Sequence, residues 1–323
     1  MEKNELHDLV CKLKILADEL DRTPTFKEFE ISGVPRRRIL KHGYNNLVRA
    51  IGSEPNVRSQ DLDALNVLIR PPRILMLDIE TSPIMAKVWG LYDQNISLNQ
   101  IEQDWYVLSY AAKWYGDDKF YYMDQRYQDP ITNDFILLEG IHYLLSECDY
   151  ACGHNIARFD YKKLNARFIK HGLPPLQPIV MIDTLRIAKR HFAFTSNKLE
   201  YLAKFLECKN LKSEHGKFHG MEMWNQTMKG NLEAFEEMEL YNKMDVIVLE
   251  EVYEKLIKYD QSISFQMFYQ NLVCTCGSHE FRKNGVMYTK SGAYSRYTCA
   301  KCGKHSKAKE NLIDKEIRKE LHK

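Results

Sequence analysis

The sequence predicts an α/β fold, a mixed sheet flanked by helices, with a small helical module before it and a cysteine-rich hairpin after it. Three observations lead there. Strand-like and helix-like segments alternate from residue 72 to residue 262, the pattern of a sheet covered by helices. Apolar residues recur at helical spacing near the start, at Leu9, Val10, Leu13, Leu16 and Leu20. Four of the eight cysteines, Cys274, Cys276, Cys299 and Cys302, cluster near the end.

Residues 1–56 read as short helices. "DRTPTFKEF" is a turn into the second of them, with Thr25 as N-cap and Glu28 three residues on completing a capping box. "VPRRRILKHGYNNLVRAIG" continues as a helix, a break at Gly43 and a last helix ending at Gly52. Arg36, Arg37, Arg38 and Lys41 fit either a solvated helix face or a set of phosphate contacts. Residues 57–71 read as a linker.

The sheet opens with "ILMLDIET". This apolar run closes at Ser82-Pro83, as a core strand does. Side chains two apart on a strand share a face, so Asp78 and Glu80 point one way while Leu77 and Ile79 point the other. Two carboxylates held together near a core repel each other and lose solvation. Either they end the strand in solvent or a divalent cation sits between them. "WYVLSYAAKWYG" and "DKFYYMDQ" read as two more strands, and "NDFILLEGIHYLLSECD" as a helix. "YACGHN" is a strand entering a turn, and "FDYKKLNARFIKHG" a helix ending at Gly172. "PIVMIDTLRIAKRHF" is strand then helix, "SNKLEYLAKFLE" another helix, and "LEAFEEMELYNKMDVIVLEEVYEKLIKY" a long one.

The composition suits soluble domains: 323 residues, 44% hydrophobic and 28% charged, a length for one to three domains. No run has the length of a membrane span, and the N-terminus lacks a signal-peptide core. Scattered cysteines outside the cluster fit a reducing, cytoplasmic setting. Net charge is only +2, but residues 271–323 carry 12 Lys and Arg against 5 Asp and Glu. Residues 1–70 are nearly balanced, so the middle of the chain is acidic.

A cation held by Asp78 and Glu80 needs more oxygen ligands. Asp160 stands at the first turn of a predicted helix, and Tyr241 and Asp245 lie four apart on one helix face. Asp245 interrupts an apolar stretch of Met244, Val246, Ile247 and Val248, where a carboxylate is costly without a partner. The three segments "LDIET", "HNIARFD" and "YNKMD", in this order, resemble the exonuclease motifs of the DEDD exonucleases in the ribonuclease-H-like superfamily. The Tyr-x-x-x-Asp form of the last resembles the tyrosine (DEDDy) subclass, and the second is similar to the proofreading domain of family B DNA polymerases. The resemblance implies a two-metal-ion 3′–5′ exonuclease. Asp78, Glu80, Asp160 and Asp245 would hold two Mg²⁺ or Mn²⁺ ions. Tyr241 would orient or help activate the attacking water, and Asn155 and Phe159 would contact the terminal nucleotide. Asp183 and Thr184, in "MIDTLRIAKR", also resemble a family segment and are taken as structural or secondary, since the four-carboxylate set is complete without Asp183.

Cys299-x-x-Cys302-Gly is a zinc-knuckle turn, and Cys276-Gly ends a first knuckle whose partner Cys274 is one residue closer than usual. Four thiolates suit one tetrahedral Zn²⁺, with His279 or His305 as alternatives to Cys274. The segment 265–310 resembles the zinc ribbons of transposase-type proteins, leaving 311–323 as a helical tail. Arg282, Lys283, Lys290, Arg296, Lys301, Lys304, Lys307 and Lys309 alternate with Phe281, Tyr288, Tyr294 and Tyr297. That composition suits either nucleic-acid contact or a zinc staple.

The stretch 16–56 resembles the small repeat found beside homing endonuclease domains, which implies DNA binding and a phage or mobile-element setting. The partner implied is nucleic acid, DNA with a 3′ end, with no membrane. An RNA exonuclease of the same chemistry is the alternative among enzymes. A nucleic-acid-binding regulatory protein with a vestigial nuclease core is the alternative outside them.

Overall fold

The computed structural model describes residues 2–20, 22–35, 38–39, 47–48, 70–211, 216–269, 271–290 and 292–320. The chain divides into two compact units, 1–71 with 266–272, and 72–265 with 273–323.

In the first unit, α1 (Glu2–Leu20) and α2 (Phe26–Ile31) share a core of Leu9, Leu13, Phe26, Phe29, Val34, Ile39, Leu47 and Val48. The Thr25 hydroxyl accepts from Glu28 N–H at 3.2 Å, and Glu28 Oε2 accepts from Thr25 N–H at 2.7 Å. This reciprocal cap satisfies two otherwise orphaned donors and starts α2 where the sequence indicated. Arg36, Arg37, Lys41, the Gly43 break, the helix end at Gly52 and linker residues 57–69 lie outside the described residues.

The second unit is built on a five-stranded mixed sheet. Its elements in chain order are β1 (Ile74–Thr81), β2 (Met85–Ala86), β3 (Ile101–Gln103), β4 (Val107–Trp114), β5 (Phe120–Asp124), α3 (Phe135–Ser146), β6 (Tyr150–Gly153), α4 (Asp160–Lys170), β7 (Val180–Asp183), α5 (Thr184–His191), α6 (Leu199–Phe205), α7 (Met221–Met228) and α8 (Leu232–Leu256). The strand order is β5-β4-β1-β6-β7. β4 runs antiparallel to β1 and β5, whereas β6 is parallel to β1 and β7. The hairpin β2–β3 and helix α7 have no counterpart in the sequence reading.

The pleat of β1 sorts its side chains. Leu75, Leu77 and Ile79 enter one core with Leu137, Leu138 and Ile141 of α3 and Leu164 and Phe168 of α4. The alternate face, carrying Asp78 and Glu80, meets α8, whose Asn242 bonds Asp78. α8 buries a stripe at Phe235, Met238, Asn242, Asp245, Leu249, Val252 and Leu256. That three-and-four spacing presses one helix face on the sheet.

The cysteine-rich end forms a three-stranded sheet, β8 (Phe281–Thr289), β9 (Gly292–Cys299) and β10 (His305–Asn311), followed by α9 (Lys315–Glu320). The expected hairpin is β8–β9, and β10 adds a strand on the far edge of β9. Lys304 fastens this sheet to the α/β body. The residue is 6% exposed, and its ammonium donates to Asp260 O at 2.6 Å, Ile263 O at 3.3 Å and Thr275 Oγ1 at 3.1 Å. The segment it grips is tied to β6, where Tyr150 donates to Ser264 O at 3.0 Å and packs edge-on against Phe265. Lys304 therefore corrects one expectation: it is a buried anchor and not a basic surface residue.

Candidate metal and catalytic site

Asp78, Glu80 and Asp245 each bring a carboxylate oxygen within 4.8 Å of the others. β1 supplies two of them on one face, opposite Ala111 and Ser109 of β4, and α8 supplies the third from its buried stripe. Asp245 is 6% exposed.

Asp160 is the first residue of α4 and is buried. Its Oδ1 accepts from the Ile79 N–H at 3.3 Å, which fixes it on β1 between the two strand acids. It is outside the set of three converging oxygens. Burial raises its pKa to about 7, and the nearby Asp183 pushes the same way, against the N–H groups of Asp160 and Ile79. A buried acid that resists ionisation, bonded to β1 at the residue between Asp78 and Glu80, adds to a setting suited to a cation.

The turn between β6 and α4 carries Asn155 and Phe159. Asn155 has φ +73°, a left-handed conformation that Asn tolerates better than most residues. The start of α5 holds that turn. Asp183 Oδ1 accepts from Asn155 N–H at 3.1 Å and from Arg186 N–H at 3.2 Å. Thr184 Oγ1 lies 2.9 Å from His154 Nδ1 and donates to Gly153 O. Asp183 and Thr184 thus brace the turn, in keeping with their structural reading. Phe159 is 39% exposed, and the Lys163 ammonium lies 5.6 Å from its ring centre. Tyr241 is half-buried one turn before Asp245, its ring edge-on to Trp224 at 6.0 Å.

Asn242 is a positioning residue that the sequence reading missed. Fully buried, it donates from Nδ2 to Asp78 Oδ2 at 2.6 Å, and its Oδ1 accepts from Ser109 Oγ at 3.1 Å. It fixes the Asp78 carboxylate from behind, as outer-shell partners of metal ligands do. The available signal was an amide inside the apolar stripe of α8, three residues before Asp245.

The second cluster is Cys274, Cys276, Cys299 and Cys302, whose sulfurs lie within 4.8 Å of one another. Cys274 Sγ is 3.5 Å from Cys302 Sγ, and Cys276 Sγ 3.7 Å from Cys299 Sγ. A Zn–S bond of about 2.3 Å gives a tetrahedral edge of about 3.8 Å, so the four sulfurs fit such an ion. The short Cys274–Cys276 spacing is met by a tighter turn. Gly277 N–H bonds Cys274 O, three residues back, where Gly303 N–H bonds Cys299 O, four back. Both glycines have positive φ, +80° and +76°, which a side chain would strain. Burial works against the Cys299 thiolate, but the N–H groups of Cys302 and Lys301 and the thiols of Cys276 and Cys302 outweigh it and bring its pKa to about 7. His305 is engaged by Thr298, with Nδ1 2.9 Å from Oγ1.

A family model described as RNase_H superfamily matches residues 75–257. No curated protein matches. Among solved structures, the family B DNA polymerase from the hyperthermophilic archaeon Pyrobaculum calidifontis aligns with a TM-score of 0.44 and 17% identity, over 59% of this chain and 25% of that one. The aligned part thus spans about a quarter of the polymerase's length.

Proposed function

Since this chain belongs to the ribonuclease H superfamily through residues 75–257, we propose that it is a metal-dependent 3′–5′ exonuclease of the tyrosine subclass acting on DNA. The observation that carries this reading is the convergence of Asp78, Glu80 and Asp245 within 4.8 Å. An all-carboxylate donor set fits hard cations, so these three, with Asp160, would hold two Mg²⁺ or Mn²⁺ ions. When bound, such ions supply a nucleophilic water at neutral pH and neutralise charge on the phosphodiester oxygens.

The chain's own residues do the rest. Asn242 holds Asp78 in one orientation. The Ile79 N–H holds Asp160. Tyr241, a turn from Asp245, offers a hydroxyl to orient the attacking water. Asn155, braced by Asp183, and Phe159, half-exposed at the start of α4, contact the terminal nucleotide.

The flanking parts take binding roles in this reading. Residues 1–56 serve DNA binding, and 265–310 is a ribbon stapled by one Zn²⁺ on the four cysteines. Arg282, Lys283, Lys301 and Lys309 are exposed on the ribbon and available to phosphates. The protein then acts in the cytoplasm on a strand with a free 3′ end. Among the described residues, no helix is long and apolar enough to cross a membrane.

The test is purified protein with Mn²⁺ on single-stranded DNA, duplex DNA and RNA labelled at the 5′ end. A ladder of products shortened from the 3′ end, strongest on DNA, is expected. A ladder on RNA alone would reassign the substrate. Intact strands throughout would contradict the nuclease reading.

A further inference from the structure

Each half of the cysteine cluster carries one residue that reaches out of it. Thr275 lies between Cys274 and Cys276 in the first knuckle. Lys304 follows Cys302 by two in the second, and its carbonyl accepts from Cys299 N–H at 2.9 Å. The two meet: Lys304 Nζ donates to Thr275 Oγ1 at 3.1 Å, and both residues are buried. The same ammonium donates to Asp260 O and Ile263 O. Those carbonyls stand one 3-10 turn (Ile257–Tyr259) beyond α8, the helix that supplies Asp245.

Two features make this join conditional. Among the described residues, the buried Lys304 ammonium bonds two carbonyls and a hydroxyl and no carboxylate. The Asp260 carboxylate turns instead to Ser262, accepting from its N–H and its hydroxyl at 2.7 Å each, with Arg190 at 3.7 Å. A buried charge without a countercharge is costly. Four thiolates on one Zn²⁺ leave the centre negative overall, and that charge would stand beside the lysine. The join is also incompletely packed. A cleft of about 280 Å³ opens at it, lined by Ser264, Phe265, Cys274, Thr275, Met287 and Lys304. Where close packing is incomplete, the bonds of one ammonium carry more of the contact.

Resting on the zinc part of the reading above, we propose that the cysteine site is a latch: Zn²⁺, by joining the two knuckles, holds Thr275 and Lys304 together on the segment after α8, so that zinc affinity and docking of the ribbon depend on each other. Lys304 is the positioning residue that couples them. Without the metal, the turns carrying Thr275 and Lys304 lose the tie that sets them side by side, and the grip on Asp260 O and Ile263 O loosens. With the ribbon lifted off, the Lys304 ammonium enters water, where its attraction for the thiolate centre is screened. By linkage, each event weakens the other by the same factor.

The experiment uses the full chain and two readouts other than cleavage. Zinc affinity is measured by competition with a chromophoric chelator, and docking by hydrogen exchange of the amides in residues 257–265. In the wild type, stripping zinc should speed exchange there by about tenfold or more, while β1 stays protected. Lys304→Met should bind zinc about tenfold more weakly and exchange fast at 257–265 even when loaded. The wild-type comparison stands by itself if the variant does not fold. Unchanged exchange on stripping would overturn the latch, and so would a Lys304→Met protein with wild-type zinc affinity. In either case one zinc per chain would still support the zinc reading. A chain that takes up no zinc would overturn both and leave the nuclease reading standing.

Discussion

At Tyr241, one hydroxyl separates two expectations. It stands one turn before Asp245 on α8, and in the proposed reading it orients the attacking water. Tyr241→Phe should slow hydrolysis about 10²-fold, the low end of proton-handling effects, while Mn²⁺ affinity measured by calorimetry stays unchanged. A wild-type rate from neutral to alkaline pH would remove the hydroxyl from the mechanism. Asn242 acts one step further back. Asn242→Leu keeps the volume but removes the donor to Asp78, so metal affinity and rate should each fall about 10- to 100-fold, with far-UV circular dichroism preserved. A variant that bound Mn²⁺ as tightly as wild type would show that Asp78 needs no brace. Sequence spacing made Asp245 legible because a carboxylate among Val and Ile demands a reason. Asn242 asks the same question more quietly, since an amide in a helix is common, and its answer depends on Ser109, 133 residues away.

At the scale of elements, two contacts carry most of the local consequence. Lys304 fastens the cysteine-rich sheet to the body through three bonds. Lys304→Met leaves two carbonyls and a hydroxyl without that donor, and should lower stability in urea unfolding by about 2 kcal/mol. Proteolysis near 260–275 should accelerate while hydrolysis of a short, saturating oligonucleotide persists. Unchanged stability and cleavage would mean the anchor is redundant. In the first unit, Arg22 bonds Glu28 at 2.6 Å and, with the Thr25 N–H and hydroxyl, holds its pKa down to about 2. A depressed carboxylate stabilises the fold above its unfolded pKa, and loses that contribution as pH falls from about 4.3 through about 2. Glu28 is partly exposed, so screening limits the effect to about 1 kcal/mol at neutral pH. Glu28→Gln should therefore destabilise this unit at pH 7 and match wild type near pH 2; an equal loss at both would assign the effect to packing. The capping box and the β8–β9 hairpin were readable because capping and alternation are local. β10, α7 and the β2–β3 hairpin were not, because polar β10 alternates weakly, α7 is short, and the two-residue β2 pairs with a segment fifteen residues on.

For the whole molecule, the sequence carried the sheet with its flanking helices and the order of the acids, because strands and helices each have their own apolar period. It did not carry the fastening of the ribbon to the body, whose bonded partners lie far apart in the chain. Everything functional converges on one claim, that β1 and α8 meet so that their carboxylates form a hydrolytic metal site. The most direct measurement is the single-turnover rate of Asp78→Ala against wild type, on 5′-labelled single-stranded DNA in saturating Mn²⁺. Circular dichroism and the unfolding midpoint should show both proteins folded. A loss of at least about 10³-fold is predicted, since several kcal/mol of transition-state stabilisation depend on that carboxylate. A folded variant that cleaves at anything near the wild-type rate would contradict it.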